Sequence, residues 1–216
     1  MPQIMEKLDA TPEEQLGGDL QLFQHVEDGA ADFGWRLWEA DTAAVVLGRF
    51  GNAANEVFEA RCQRDGVPIV RRCSGGGAVV VGRGCLNFAV VFSLAVHPEL
   101  ADVARSFSLV LHRIAGVLTI KGLSIAGGTD LVVGGRKVSG NAQRRGRRAL
   151  LHHGTLLYDF DPALAARYLR EPRRQPAYRD HRPHADFMGC LRVPRERLTA
   201  RLSEGLTSLA PMTEAC

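Results

Sequence analysis

The sequence predicts an α+β domain with a mixed, largely antiparallel sheet flanked by helices. Three observations carry that expectation: apolar runs of strand length bounded by turn residues, stretches with apolar residues at helical spacing, and a Gly-Gly pair set between two short strand patterns.

Residues 1–18 are polar, hold Pro12 and the Gly17-Gly18 pair, and read as a loose, flexible N-terminal arm before a single domain over 19–216. Residues 19–27 fit a short helix, with Leu20, Phe23 and Val26 three apart. Residues 35–39 and 43–49 read as strands separated by the turn-prone Glu39-Ala40-Asp41. Residues 55–64 fit a helix ending near Gly66, and 68–72 fit a strand that enters a glycine cluster, beyond which another apolar strand begins. The β-branched and aromatic residues 86–94 suit a central strand. Residues 101–118 carry Val103, Phe107, Val110, Leu111, Ile114 and Leu118 at helical spacing. Residues 124–129 read as a turn, and 130–133 with 136–142 bracket Gly134-Gly135 as a hairpin. Residues 149–158 form a further strand pattern and 162–169 a short helix. The Pro-, Arg- and His-rich stretch 171–194 is irregular, and 194–209 closes on an amphipathic helix. There is no internal repeat.

Bulk composition excludes several classes of function. With 216 residues, 45% hydrophobic and 24% charged, the chain can bury a full core and has no mark of a disordered or fibrous protein. A net charge of +3 does not by itself call for nucleic acid. The five cysteines (Cys62, Cys73, Cys85, Cys190 and Cys216) are odd in number and lack paired CxxC spacing. They read as reduced thiols in a cytoplasmic protein, with neither a disulfide framework nor a metal site. No secretory leader pattern and no apolar run of spanning length is present, so no membrane association is expected.

Two segments carry chemistry. The first, Arg71-Arg72-Cys73-Ser74-Gly75-Gly76-Gly77-Ala78-Val79, places three glycines between two strand patterns. Glycines let backbone approach a ligand, and successive N–H groups can cradle an anion that Arg71 or Arg72 would neutralise. It is neither a Walker motif nor a dinucleotide fingerprint. The second runs from 134 to 157 and centres on Lys137. Of 27 basic residues only Lys7, Lys121 and Lys137 are lysines. A lysine kept beside Arg136 in so arginine-biased a chain points to a compact, mobile point charge that guanidinium cannot replace.

Together these segments resemble the lipoate-protein ligase A family, whose catalytic domain is shared with octanoyltransferases and, more distantly, biotin protein ligases. The family pattern reads RRxSGGGAV, a hydrophobic strand opening with LN, DL…GRK-[IV]-SG-[NS]-A-Q, and HHGTLL. Here it lies at 71–79, Leu86-Asn87, Asp130-Leu131, 136–143 and 152–157, with looser likeness over 35–72. The resemblance spans about residues 20–170. It implies a catalytic domain like those of class II aminoacyl-tRNA synthetases and biotin ligases. It also implies activation of lipoate or octanoate with ATP as an acyl-adenylate, magnesium with the nucleotide, and transfer to a lysine of a carrier domain of the 2-oxoacid dehydrogenase E2 or glycine-cleavage H type. Lys137 matches the catalytic lysine. Arg72, Ser74, Gly75, Gly76, Gly77, Ala78, Val79 and Val80 match the segment around the acyl-adenylate; His153 and Thr155 are candidates either to hydrogen-bond the ligand or to brace the hairpin, and Asn141 to orient Lys137 or the adenine. Val79, Val81 and Val90 are candidates for the acyl slot and equally good as plain core. Ser139 is a candidate to orient Lys137 or the adenine, while Asn87 and Asp130 suit turn caps as well as substrate contacts.

The sequence also departs from the family. Ligases often carry a His-Asp pair after the glycine loop, where Val81-Gly82 stands here. No accessory domain is expected after the catalytic one, which would imply either a separate subunit or transfer of an acyl group already activated. The transferase alternative finds no cysteine in 124–129, where one octanoyltransferase branch holds its nucleophile. Cys73, Cys85 and Cys190 remain possible thiol nucleophiles, the first two because a nearby arginine would lower their pKa. A third reading is a non-catalytic lipoyl- or adenylate-binding subunit, against which the kept Lys137 argues. Nucleic-acid binding rests only on the run Arg144-Arg145-Gly146-Arg147-Arg148, which reads better as a solvated hairpin tip.

Overall fold

The computed structural model describes residues 10–210. A six-stranded antiparallel sheet forms its centre, in the order β1 (Phe33–Trp38), β5 (Cys85–Ser93), β9 (Ala149–Leu157), β8 (Arg136–Arg145), β7 (Asp130–Val133) and β6 (Leu123–Ala126). A three-stranded sheet of β3 (Ile69–Arg71), β2 (Ala44–Leu47) and β4 (Val79–Val81) stands beside it; β2 runs parallel to β3 and antiparallel to β4. The mixed, largely antiparallel α+β expectation holds.

All nine residues of β5 are buried, which is why it reads as an unbroken apolar run rather than an alternation. Leu86, Phe88, Val90 and Phe92 share a core with α4 (Val103–Leu118) and α7 (Arg195–Thr207). On the opposite face Ala89 and Val91 meet Leu22, Phe23 and Val26 of α1 (Pro12–Glu27). Helix α4 begins at Asp102, whose carboxylate accepts from the Arg105 N–H at 2.7 Å, and buries Val110, Leu111, Ile114 and Leu118. A third core joins the small sheet to α5 (Pro162–Tyr168) through Val45, Val80, Ala165 and Tyr168.

Several boundaries differ from expectation, each for a local reason. Helix α1 starts at Pro12, not Asp19: Thr11 and Glu14 form a capping box, and proline is well suited to the first turn. The Gly17-Gly18 pair sits inside this helix, where a Cβ on Gly18 would press into the Arg36 guanidinium, so the missing side chain makes room for a buried arginine. Residues 1–9 of the expected arm lie outside the described residues. The single helix expected over 55–64 is divided into α2 (Ala53–Glu56) and α3 (Glu59–Asp65), because Val57 turns extended and bridges to Leu169. Residues 123–126 form β6 rather than a turn, leaving only Gly127-Gly128-Thr129 as the connection to β7. Gly134 and Gly135 both have positive φ, 57° and 73°, as a two-residue hairpin of this hand requires. The irregular stretch contains a 3₁₀ turn at 177–179 and a short helix, α6 (His184–Phe187), and is tied to β8 by an N–H of Gly189 donating to the Lys137 carbonyl at 2.8 Å.

Candidate active site

The glycine loop between β3 and β4 is shaped by the two arginines that precede it. Arg72 is 8% exposed and donates to the Gly75 and Gly77 carbonyls at 2.6 and 2.9 Å and to Ser74 Oγ at 3.1 Å. Burial pushes its guanidinium down to about 10. Arg71 donates to the carbonyls of Gly48, Arg49 and Gly51, tying down the turn after β2. Both forks are thus engaged with backbone. Gly76 has φ +92°, and a Cβ on Gly48 would overlap the Gly76 carbonyl, so the two turns can touch only as glycines. The loop's Ala78 N–H is also occupied: it donates to Glu56 Oε2 at 2.7 Å, while Glu56 Oε1 accepts from the Asn52 N–H at 3.0 Å.

His153 of β9 links this loop to α1. Its Nε2 lies 2.6 Å from Ser74 Oγ and its Nδ1 3.1 Å from Asp19 Oδ2; with Nδ1 protonated, the ring accepts from Ser74 and donates to Asp19. Asp19 Oδ1 also receives Arg36 Nη1 at 2.7 Å and Trp38 Nε1 at 3.2 Å. The order Ser74–His153–Asp19 has the geometry of a catalytic triad, yet Ser74 is 1% exposed and borders neither cavity described below. Its effect is to lock loop, sheet and helix together. Sequence reading placed Asp19 only as a helix start; its burial beside Arg36 shows its wider role.

Lys137 lies on β8 beside a β-bulge, where Val132 pairs with Lys137 but Leu131 pairs with Ser139, leaving Val138 as the extra residue. Bulges kink a strand and re-aim its side chains. Lys137 Nζ sits 2.9 Å from Asp130 Oδ1, and Tyr178 donates its hydroxyl to Asp130 Oδ2 at 2.6 Å. A Cβ on Gly140 would press against the end of the Lys137 side chain, so this glycine gives the lysine its path.

Two cavities meet here. A narrow one of about 260 Å³ is walled by Leu16, Trp38, Val46, Val79, Val81 and Phe88. A wider one of about 700 Å³ runs past Phe50, Glu56, Ala78, Val80 and Arg170 to Arg179 and Met188. Gly76, Gly77, Val79, Asp130, Lys137, Gly140 and Thr155 border both. Asn141 and His153 line the narrow one, with Asn141 Nδ2 donating to the Thr129 carbonyl at 2.8 Å and to Ser139 Oγ at 3.0 Å. Gly75 borders neither, and Val90 belongs to the α4 core rather than the slot.

The remaining candidates are engaged structurally. Arg144 stacks on Phe23, and Arg145 donates to the Leu100 and Ala101 carbonyls. The hairpin tip is bound by Glu27, which accepts from the N–H groups of Arg147, Arg148 and Ala149. Burial pushes all three candidate thiols up: Cys85 strongly, and Cys73 despite Arg144 nearby, which reverses the expectation of a lowered value; Cys190 shifts the same way. Burial likewise holds His152 neutral, at about 3. No helix of the described residues is long and apolar enough to cross a membrane.

The fold has counterparts among known proteins. Similar solved structures include protein Ta0514 of T. acidophilum, described as a lipoate protein ligase with bound lipoic acid. It has a TM-score of 0.79 and 22% identity, over 95% of this chain and 83% of that one. A lipoate-protein ligase A bound with ATP gives 0.79 and 23%, over 95% and 83%. A bipartite lipoate protein ligase with its E2 lipoyl domain, from Thermoplasma acidophilum, gives 0.75 and 23%, over 94% and 80%. At such identities these matches speak to the fold. The model of the lipoyl protein ligase A/B catalytic domain matches residues 11–196, most of the chain. By that match the chain belongs to the lipoyl protein ligase A/B family and is a catalytic domain of the lipoate-ligase type.

Proposed function

We propose that this enzyme activates lipoate or octanoate with ATP and passes the acyl group to a lysine of a lipoyl carrier domain. The observation that carries the reading is the position of Lys137 on the wall shared by a narrow apolar cavity and a wide, arginine-edged one. An acyl chain suits the first and a nucleotide the second, so their reacting ends would meet at the ammonium.

In the first step a carboxylate oxygen attacks the α-phosphorus and pyrophosphate leaves. Lys137 would stand between the two anions and stabilise charge on the pentacoordinate phosphate. In the second step the deprotonated amine of the carrier lysine attacks the acyl carbonyl, AMP leaves with the bonding electron pair, and the nitrogen sheds one proton to solvent. Lys137 would then polarise the carbonyl oxygen. Asp130, braced by Tyr178, holds the ammonium in place before the ligands arrive. Thr155, Gly76, Gly77 and Val79 border both cavities and would surround the acyl-phosphate junction. Ser74 and Gly75 would act through the loop's shape, as would Arg72, whose guanidinium fixes the carbonyls while it borders the narrow cavity.

Magnesium would travel with the nucleotide phosphates. Among the described residues no three His, Cys, Asp or Glu side chains converge. Both Asp130 oxygens and both Glu56 oxygens already have partners, so among the described residues no carboxylate cage stands ready for the ion. The bipartite relative and its E2 lipoyl domain support a lipoyl-domain acceptor and a separate accessory subunit here.

The test is ATP–pyrophosphate exchange dependent on added lipoate or octanoate, with and without a candidate accessory subunit. Exchange supports adenylation. Its absence under both conditions, with acyl transfer from octanoyl-carrier protein in the absence of ATP, assigns the transferase reaction instead.

A further inference from the structure

The wide cavity is lined by four arginines, Arg170, Arg173, Arg174 and Arg179, and these divide into two kinds. Arg170 donates to the Val57 carbonyl and stacks on Phe58. Arg179 is 4% exposed, donates to Glu171 and to the Arg182 carbonyl, and stacks on Phe187. Arg173 and Arg174 are exposed and have no hydrogen bond, ion pair or ring contact among the described residues. They lie between Pro172 and Pro176, whose fixed φ angles limit how far this segment can move. The segment is further pinned by Arg179, by the Tyr178–Asp130 hydrogen bond and by Arg182 donating to the Gly135 carbonyl. Two unpaired guanidinium groups are therefore held on a braced backbone, facing the same cavity as Lys137.

The same cavity also carries a negative group, Glu56. Glu56 occupies the Ala78 N–H, the donor that an incoming phosphate would otherwise use, and its carboxylate repels an anion there. A polyanion reaching Lys137 is thus directed away from the glycine loop and toward residues 173–174. Paired guanidinium forks match phosphate oxygens bidentately.

We propose that Arg173 and Arg174 form the subsite for the β- and γ-phosphates of a nucleoside triphosphate and hold the pyrophosphate as it leaves. This rests on the ATP-dependent reading above and deepens it, since a donor already activated as a thioester would need no such subsite.

Binding of AMP, ATP and inorganic pyrophosphate, each with magnesium, is measured by calorimetry on the wild-type chain and on the double variant Arg173→Ala/Arg174→Ala. The wild type binds ATP at least tenfold more tightly than AMP, with a preference that shrinks as salt rises. In the double variant the affinity for ATP falls to that for AMP and pyrophosphate binding is lost, while the circular dichroism spectrum stays that of the wild type. Arg173→Lys/Arg174→Lys restores part of the preference. A wild type that binds ATP no more tightly than AMP overturns the inference, as does a double variant that keeps the preference or loses AMP binding equally. A preserved ATP preference without any pyrophosphate exchange would leave the subsite standing and overturn the ligase reading alone.

Discussion

Around the narrow cavity, charge is buried and bonded on nearly every side. Asp19 and Arg36 are 2% and 4% exposed in their side chains, and among the described residues Arg36 Nε is the one atom of this cluster without an acceptor. His153, Trp38, Ser74 and Arg72 complete a network reaching from α1 through β9 to the glycine loop. Around the wide cavity, charge is exposed and partly unpaired: Arg173 and Arg174 face solvent, and Glu171 is half exposed. A buried network fixes shape, because each polar atom removed from water must keep its partner. An exposed set of arginines fixes little, and it keeps its hydrogen-bonding capacity for a ligand that comes and goes. The two walls differ as a mould differs from a clamp, and Lys137 stands where they join.

Breaking the mould gives the largest expected effect. Asp19→Ala leaves Arg36 buried without its counter-ion and His153 without its acceptor, and removing one partner of a buried pair costs about 3–5 kcal/mol. Urea denaturation should show that loss through a lower midpoint at constant slope. Arg173→Ala, on the other wall, should stay within about 0.5 kcal/mol of wild type. Equal stability of the two variants would abolish the contrast.

At the junction, Lys137→Ala should lower acyl transfer by about 10²–10³ while the fold persists. Lys137→Arg should lose nearly as much. The lysine lies over Gly140, beside a bulge, with its ammonium on Asp130, and a planar fork that spreads its charge over three nitrogens does not reproduce that point charge. Turnover near wild type in the arginine variant would show that position, not residue type, decides. Circular dichroism of both variants separates this result from unfolding.

The difference between the walls also governs what sequence could reveal. Lys137 was legible because its scarcity and its Gly-rich neighbours are local facts, as were the strand pattern of β5 and the Gly134-Gly135 hairpin. The clamp was hidden in a stretch that reads only as irregular, since its order comes from contacts with β7 and β8 distant in sequence. The mould was hidden for the same reason: Asp19 and His153 are 134 positions apart. Arg71 and Arg72 read as phosphate ligands because an arginine beside glycines offers a free fork in the sequence; the fold turns both onto carbonyls. The start of α1 is encoded in Thr11, Pro12 and Glu14, but the Gly17-Gly18 pair makes the segment read as a loose arm.

The mould should also respond to acid. His152, adjacent to His153, hydrogen-bonds Gln143 and Asn141 and is held neutral by burial, at about 3 against about 6.5 in an unfolded chain. Between those values the unfolded state binds a proton that the folded state refuses, so stability is highest above pH 6.5 and falls as pH drops through this window. The slope approaches about 1.4 kcal/mol per pH unit from this group. Denaturation midpoints between pH 7.5 and 5 should show it, and His152→Gln should flatten it. A midpoint that rises toward pH 5 in the wild type would contradict the neutral, buried assignment.

The smallest effect is expected at the thiols, and it bears on the reaction itself. A nucleophilic cysteine needs an exposed, electropositive setting that favours thiolate. Cys73, Cys85 and Cys190 are instead shifted toward the thiol by burial, and neither cavity is bordered by any of them. Cys190 also donates its Sγ–H to the Phe160 carbonyl at 3.0 Å, a structural contact. Cys73→Ser and Cys190→Ser should therefore keep acyl transfer within about threefold of wild type, on the scale of a surface or modest packing change. For the fully buried Cys85, Ala rather than Ser avoids an unpaired hydroxyl in the core. Mass spectrometry of enzyme quenched with an octanoyl thioester donor should find no covalent adduct. A thioester-sized mass shift that disappears with one of these substitutions would make that cysteine the acyl acceptor and the narrow cavity the seat of an acyl-enzyme. Lys137 would then polarise a thioester carbonyl rather than an acyl-phosphate.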